Sequence, residues 1–279
     1  MKFLSILFLF FCFFNLSLKA QDTYIQKGEF GVNVGLAHYF GDLNPRGSVN
    51  HPKLSIGGFF IKQFTNYTAV KVSAHYASLG YSDVYSTNSF QQARNLSFNT
   101  DIFEFAVAGD FNFFKFNPTD FEHNFTPFAT IGVGAFSYNP YAYYQGSRVY
   151  LRTLHTEGQT FYQGRKEYGS MAICFPIGFG FKYGISDKLN FSFSLTHRFT
   201  TTDYLDDVSS TYVGIDKFPP NPNGSPSIAG ILQDRSFETG KVIGAEGSQR
   251  GWSKQKDQYI IAEIGLSYNL SSYRCPSSK

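Results

Sequence analysis

The sequence predicts an all-β protein, an eight-stranded antiparallel transmembrane β-barrel with short periplasmic turns and long external loops. Three observations predict it. Eight segments alternate apolar residues with polar or small ones at period two. The links between them alternate between long and short, as in barrels that cross an outer membrane. No stretch after the first twenty residues approaches the ~20 apolar residues of a spanning helix. In lipid only helices and closed barrels satisfy every backbone polar group.

The strands follow in order. The first, 28–40, sets Phe30, Val32, Val34 and Leu36 outward and Glu29, Asn33 and Ala37 inward. The second, 53–64, is less regular, because Gly57-Gly58-Phe59-Phe60 blurs the alternation. The third, 67–79, puts Val70, Val72, Ala74 and Tyr76 outward against Lys71, Ser73 and His75. The fourth, 101–113, is the clearest: Phe103, Phe105, Val107, Phe111 and Phe113 oppose Glu104, Ala106, Ala108, Asp110 and Asn112. In the fifth, 128–138, Ile131 and Val133 alternate with Gly132 and Gly134. The sixth, 172–185, turns Phe175, Ile177, Phe179, Phe181 and Tyr183 outward. The seventh, 189–200, turns out Phe191, Phe193 and Leu195, with Ser192, Ser194, Thr196 and Arg198 inward. The eighth, 257–270, opposes Ile260, Ala262, Ile264, Leu266, Tyr268 and Leu270 to Ile261, Glu263, Gly265 and Ser267. Long links span 41–52, 80–100, 139–171 and 201–256; tight ones span 65–66 and 186–188, and 114–127 is intermediate. This parity places both termini in the periplasm of a Gram-negative outer membrane.

Residues 1–20 read as a signal peptide, with Lys2 as the charged head, an apolar run over 3–14 and Ser17-Leu18-Lys19-Ala20 as the cleavage site. The barrel then occupies 21–279. Cys12 lies inside the apolar run behind the bulky Phe11, which argues against lipidation. The net charge of +3 contains no basic block, so nucleic-acid binding has no support. Cys174 and Cys275 remain after cleavage. At ~3.3 Å of rise per strand residue they stand roughly 20–30 Å apart, too far for a bridge. A bond between two molecules through Cys275 is the alternative.

Glu29, Glu104, Asp110 and Glu263 face inward together with Lys71, Lys182 and Arg198. Buried charges are costly unless paired, so they predict a packed lumen network; an ion path is the alternative. After the seventh strand, Asp203, Asp206 and Asp207 form an external acidic motif. It either caps turns through backbone amides or holds Ca²⁺, which takes several oxygen ligands. The tract 218–226, rich in Pro and Asn, is exposed loop. His38 and His197 near the lipid raise the question of a lipid-modifying hydrolase. No acid, base and nucleophile cluster accompanies them, so no catalytic residue, cofactor or metal centre is expected.

The ending Glu263-Ile264-Gly265-Leu266-Ser267-Tyr268-Asn269-Leu270 resembles the C-terminal signal by which barrel-assembly machinery recognises outer-membrane barrels. Tyr39-Phe40-Gly41-Asp42-Leu43-Asn44-Pro45, then Arg198 to Ser209 with its Asp-Tyr-Leu-Asp-Asp-Val core, and Arg274-Cys275-Pro276 resemble the DUF6089, PorG-like family of outer-membrane barrels of the type IX secretion system. The resemblance implies a non-enzymatic accessory of protein transport that contacts a periplasmic ring of PorK- and PorN-like proteins. Topology offers for that contact the 114–127 link with Phe116, Phe121 and Phe125 and the 271–279 tail with Cys275, together with the two tight turns. The alternative is a stand-alone surface barrel whose long loops bind a ligand or another cell, an adhesin-like role.

Overall fold

The computed structural model describes residues 26–271. The expected signal peptide, Cys12, Cys275 and the tail beyond 271 lie outside the described residues. Ten strands form: β1 (Gln26–Phe40), β2 (Lys53–Gln63), β3 (Thr68–Ser82), β4 (Ser97–Asn112), β5 (Phe125–Ser137), β6 (Tyr141–Tyr144), β7 (Ser147–Tyr150), β8 (Met171–Gly184), β9 (Leu189–Thr200) and β10 (Gln258–Ser271). Eight of them pair antiparallel in the order β3-β2-β1-β10-β9-β8-β5-β4, and a β3–β4 ladder closes the ring. Closure removes both sheet edges, which is what lets a sheet stand in lipid. The hairpin β6–β7 hangs from β4 through the pair Asn99↔Tyr141.

Inside-outside alternation follows the sequence on every wall strand. Phe30, Val32, Val34, Phe103, Phe105, Ile131, Ile177, Phe179, Ile264 and Leu266 stand exposed on the outer wall. An apolar band of this extent is far larger than a soluble monomer carries. In lipid each such side chain contributes about 1.5–3 kcal/mol relative to water. The register of β2 resolves as strict alternation: Leu54, Ile56 and Phe60 point outward, while Phe59 and Ile61 turn inward. Glycine makes room for the inward ring, since a Cβ at Gly31 would stand 2.6 Å from Phe59 Cζ. In β8, Pro176 has no N–H to donate. The β5–β8 ladder accordingly skips between Ile131↔Ile177 and Gly134↔Cys174.

Two expectations are corrected by length. The third and fourth strands extend to Ser82 and back to Ser97, so the link between them is 83–96 rather than 80–100. The fifth strand begins at Phe125, so the intermediate link is 113–124. The interior explains the extension. Toward the short turns the inward charged and amide side chains sit among a few apolar ones such as Ile61 and Phe128. Toward the long loops the inward residues become apolar: Ala77, Leu79, Tyr81, Phe98, Ile102, Phe136, Tyr259 and Ile261 pack with Leu43, Leu96, Leu151, Leu205, Val208 and Leu232 of the loops. The loops therefore fold over the barrel mouth as a second core. The second, third and fourth carry short pieces of structure, among them helix α1 (Ser89–Arg94), capped by the Asn88 side chain, and helix α2 (Ile228–Gln233), capped by Ser227.

Candidate functional site

Three groups of residues were expected to matter: the lumen charges, the short-turn end and the acidic motif. In the lumen, Glu29, Glu104, Asp110, Lys182, Arg198 and Glu263 are all buried. They divide into two clusters. Nearer the long loops, Arg198 Nε lies 3.3 Å from Glu104 Oε2, which also accepts from the Tyr259 hydroxyl at 2.5 Å. His75 bridges onward, 3.6 Å from Glu104 and 3.2 Å from Glu263, and Asn33 lies 2.9 Å from the His75 ring. Ser194 donates to Glu263, and the Cys174 thiol points at Glu104 at 3.6 Å. Nearer the short turns, Lys182 Nζ is 3.4 Å from Asp110 and 3.9 Å from Glu29, while Asn190 and Ser267 donate to Glu29. Lys71 borders the same cavity as Asp110, Lys182 and Glu263, with its ammonium 6.0 Å from the Phe59 ring centre. The lumen cavity among these groups measures about 20 Å³, room for one water rather than a conduit. His75, Tyr259 and Asn33 complete this network, and charge counting alone did not single them out.

At the short-turn end the three phenylalanines separate. Phe116 is buried, its N–H donating to Asn66 O. Phe125 belongs to β5 and faces outward with the lipid band. Phe121 alone projects, 89% exposed, from a link held by Asn117, Asp120 and His123.

The acidic motif lies in the cap. Asp203, Asp206 and Asp207 are buried, and each holds a different part of it. Asp203 Oδ2 accepts from Ser209 Oγ at 2.6 Å. Tyr204 stacks on Tyr168, and Leu205 and Val208 enter the core. Asp206 accepts from Val208 N at 2.9 Å and from the Tyr39 hydroxyl at 2.5 Å; the same hydroxyl lies 3.1 Å from Asp257. Asp207 adopts a left-handed φ of 64°, which short polar side chains tolerate. It accepts from Thr156 and from the Tyr168 hydroxyl, and lies 3.7 Å from Arg250. Arg250 also reaches Glu157 at 2.9 Å, Asp207 O at 2.6 Å and Gln233 O at 3.0 Å. Glu157 accepts in addition from Ser209 N and Ser210 N. Arg94 grips Asp83 through two bonds of 2.7 Å and donates to Arg250 O and Asp42 O. Thus the motif joins the third and fourth long loops to β1, and Arg94, through Arg250 O and Asp42 O, brings in the second and first. Among the described residues no three His, Cys, Asp or Glu side chains converge as a metal site. His197 sits on the outer wall stacked on Phe40, whereas His38 is buried beneath the first long loop, against Ser48 O and Asn44. That loop shields His38 from the lipid expected around it.

Burial makes the cap acids hard to ionise. It pushes Asp203 up to about 7, Asp207 to about 6 and Asp42 to about 6. Burial and mutual repulsion raise Asp206 and Asp257 well above the usual carboxylate range. A carboxyl with a raised folded pKa binds its proton more tightly folded than unfolded. Its stabilising contribution is full below the unfolded value near 4 and is lost as pH rises through the folded value. For Asp203, rising from 3.8 to about 7, the loss is on the order of 4 kcal/mol. The cap should therefore open at lower urea at pH 8 than at pH 5, read by the emission of the sole tryptophan, Trp252. Equal midpoints would contradict the burial argument.

Comparison with known proteins gives the following. A family model described as "Domain of unknown function (DUF6089)" matches residues 2–214. No curated protein matches the chain. Solved structures of similar shape include Neisserial surface protein A, at 8% identity and TM-score 0.43, covering 89% of this chain and 100% of that one. Ail of Yersinia pestis, in complex with the heparin analogue sucrose octasulfate, matches at 9% identity and TM-score 0.39, covering 88% and 99%. The N-terminal β-barrel domain of Pseudomonas aeruginosa OprF matches at 11% identity and TM-score 0.36, covering 88% and 98%.

Proposed function

Because the chain belongs to the DUF6089 family, we propose that it is a non-enzymatic outer-membrane barrel that serves type IX protein secretion, fixing a periplasmic ring of PorK- and PorN-like proteins to the membrane. The family match carries the reading. A lumen filled by ion pairs and hydrogen bonds supports an anchor over a conduit. In this reading the termini and short turns lie in the periplasm, the capped loops face outward, and the working surface is the 113–124 link. Phe121 is the most exposed aromatic there, at 89%, and is free to enter a partner's pocket. Buried aromatic anchors dominate interface energetics.

Chemical crosslinking of intact outer membranes, followed by purification of the tagged protein, tests the proposal. Ring components should be recovered. Phe121→Ala should lower that recovery about tenfold, the scale of an interface hot spot, while an 89% exposed side chain leaves the barrel folded. Recovery of no secretion component would sink the role. The working surface would then be the opposite one, the loops of an adhesin-like surface barrel, a reading favoured by the cavity they enclose.

A further inference from the structure

The cap encloses a cavity of about 290 Å³ between the first, second and fourth long loops, bordered by Asp42, Phe90, Gln91, Arg94, Gln249 and Trp252 among others. Its volume is close to the lower end of the roughly 300–1,000 Å³ of small-ligand sites. The floor is rigid for a reason the sequence encodes. Arg94 is held by four hydrogen bonds, two to Asp83, one to Arg250 O and one to Asp42 O. Gln91 donates to the carbonyls of Asp42 and Leu43 and accepts from Ser86. Both oxygens of Asp42 lie 3.0 Å from the Trp252 N–H, which pins the segment carrying that ring.

The charges of the floor are thus answered within the protein. Arg94 faces Asp83, and Arg250 faces Glu157 and Asp207. No cation of the floor is left to draw an anion, and the Asp42 carboxyl is taken up by the Trp252 backbone N–H. The rim differs. Trp252 is 53% exposed and Phe90 is 40% exposed, outside the lipid band that takes up most of the other large exposed rings. Gln249 and Gln255 add exposed amides, each group offering donors and acceptors. Flat apolar rings beside neutral amides complement one class of ligand well. A sugar ring carries an apolar C–H face and a rim of hydroxyls that both donate and accept. The ring face of Trp or Phe takes the first, and the amides take the second. A fixed floor spares the entropy of ordering loops on binding.

We propose that this cavity is a binding site for a neutral saccharide. The ligand's sugar would lie against Trp252 and Phe90, hydrogen-bonded by Gln249 and Gln255. The site stands whether or not the short turns contact a ring. Two sources share this chemistry, the polysaccharide of the membrane's own lipid and free oligosaccharides from outside.

The test uses the whole purified protein in detergent micelles. Trp252 is the only tryptophan, so its emission reports this cavity alone. It is titrated with cellohexaose, with chitohexaose and with delipidated polysaccharide from the host's outer membrane. A saturable shift with a hexasaccharide identifies a free source, and a shift with the membrane polysaccharide alone identifies the resident one; both support the site. Phe90→Ala and Gln249→Ala should each weaken binding about tenfold, with unchanged emission of the unliganded protein as the check that the cap is intact. Trp252→Ala, followed by calorimetry, should abolish binding. No saturable shift with any of the three probes, or binding that the Phe90 and Gln249 variants leave unchanged, would overturn the proposal.

Discussion

Arg198→Ala should destabilise the barrel by about 3–5 kcal/mol, the range for removing one partner of a buried ion pair. The side chain is 3% exposed and points from β9 into the lumen, its guanidinium 3.3 Å from Glu104 Oε2 on β4. Its removal leaves Glu104 ionised in a closed lumen with the Tyr259 hydroxyl, Cys174 and His75 as its remaining partners. The cost comes from the stranded carboxylate, more than from the lost attraction. Arg198→Leu combined with Glu104→Gln should therefore recover most of the loss, because it removes both charges together. Lys71→Met should cost far less, since Lys71 lies over a ring and is only half-buried. Urea unfolding in micelles, scored by the gel mobility of the folded form, gives the order. A double variant as unstable as Arg198→Ala would mean that the network acts through shape and packing, and the charge argument would fail.

The barrel was legible because each wall strand sees two uniform environments. Lipid selects Phe, Val, Ile and Leu on one side and the lumen selects small or polar residues on the other, so period two persists for a dozen residues. Even the blurred Gly57-Gly58-Phe59-Phe60 obeys it, with one glycine and one phenylalanine on each face. The lumen acids and bases were legible for the same reason: their parity placed them. His75 had the right parity too, yet only the geometry shows it joining Glu104 to Glu263. The cap was not legible. Glu157, Arg250, Arg94 and Asp83 come from three loops, separated by up to 167 residues, and no local period marks them. The acidic motif was visible as composition, but its work depends on partners such as Tyr39 and Thr156, 167 and 51 residues away. The same holds at the other end. Three phenylalanines spaced along one link looked equivalent, and burial, lipid and water divided them.

Those long-range partners define the second large effect. Arg250→Ala should release the cap while leaving the eight-stranded wall intact. Arg250 is among the most deeply buried side chains, and it holds Glu157 at 2.9 Å, the Asp207 carbonyl at 2.6 Å and the Gln233 carbonyl at 3.0 Å. Without it, Glu157 and Asp207 lose a shared cation in a buried setting, which costs about 3–5 kcal/mol. The wall has its own ladders and does not depend on those bonds, so the loss falls on a local opening rather than on global unfolding. Where cleavage follows the open population, that energy raises proteolysis by roughly two to four orders of magnitude. Proteinase K should then cut within 201–257 and leave a heat-modifiable barrel on the gel. Arg250→Lys keeps a charge near Glu157 but cannot reproduce the fork that spans Glu157 and Gln233 O, so it should fall between the two. If Arg250→Ala unfolds wall and cap in one transition, the two cores are a single cooperative unit. If protection of the loops is unchanged, the loops are held by their apolar core, which includes Leu43, Leu96, Leu151, Leu205, Val208 and Leu232, and by the Arg94 bonds rather than by Arg250.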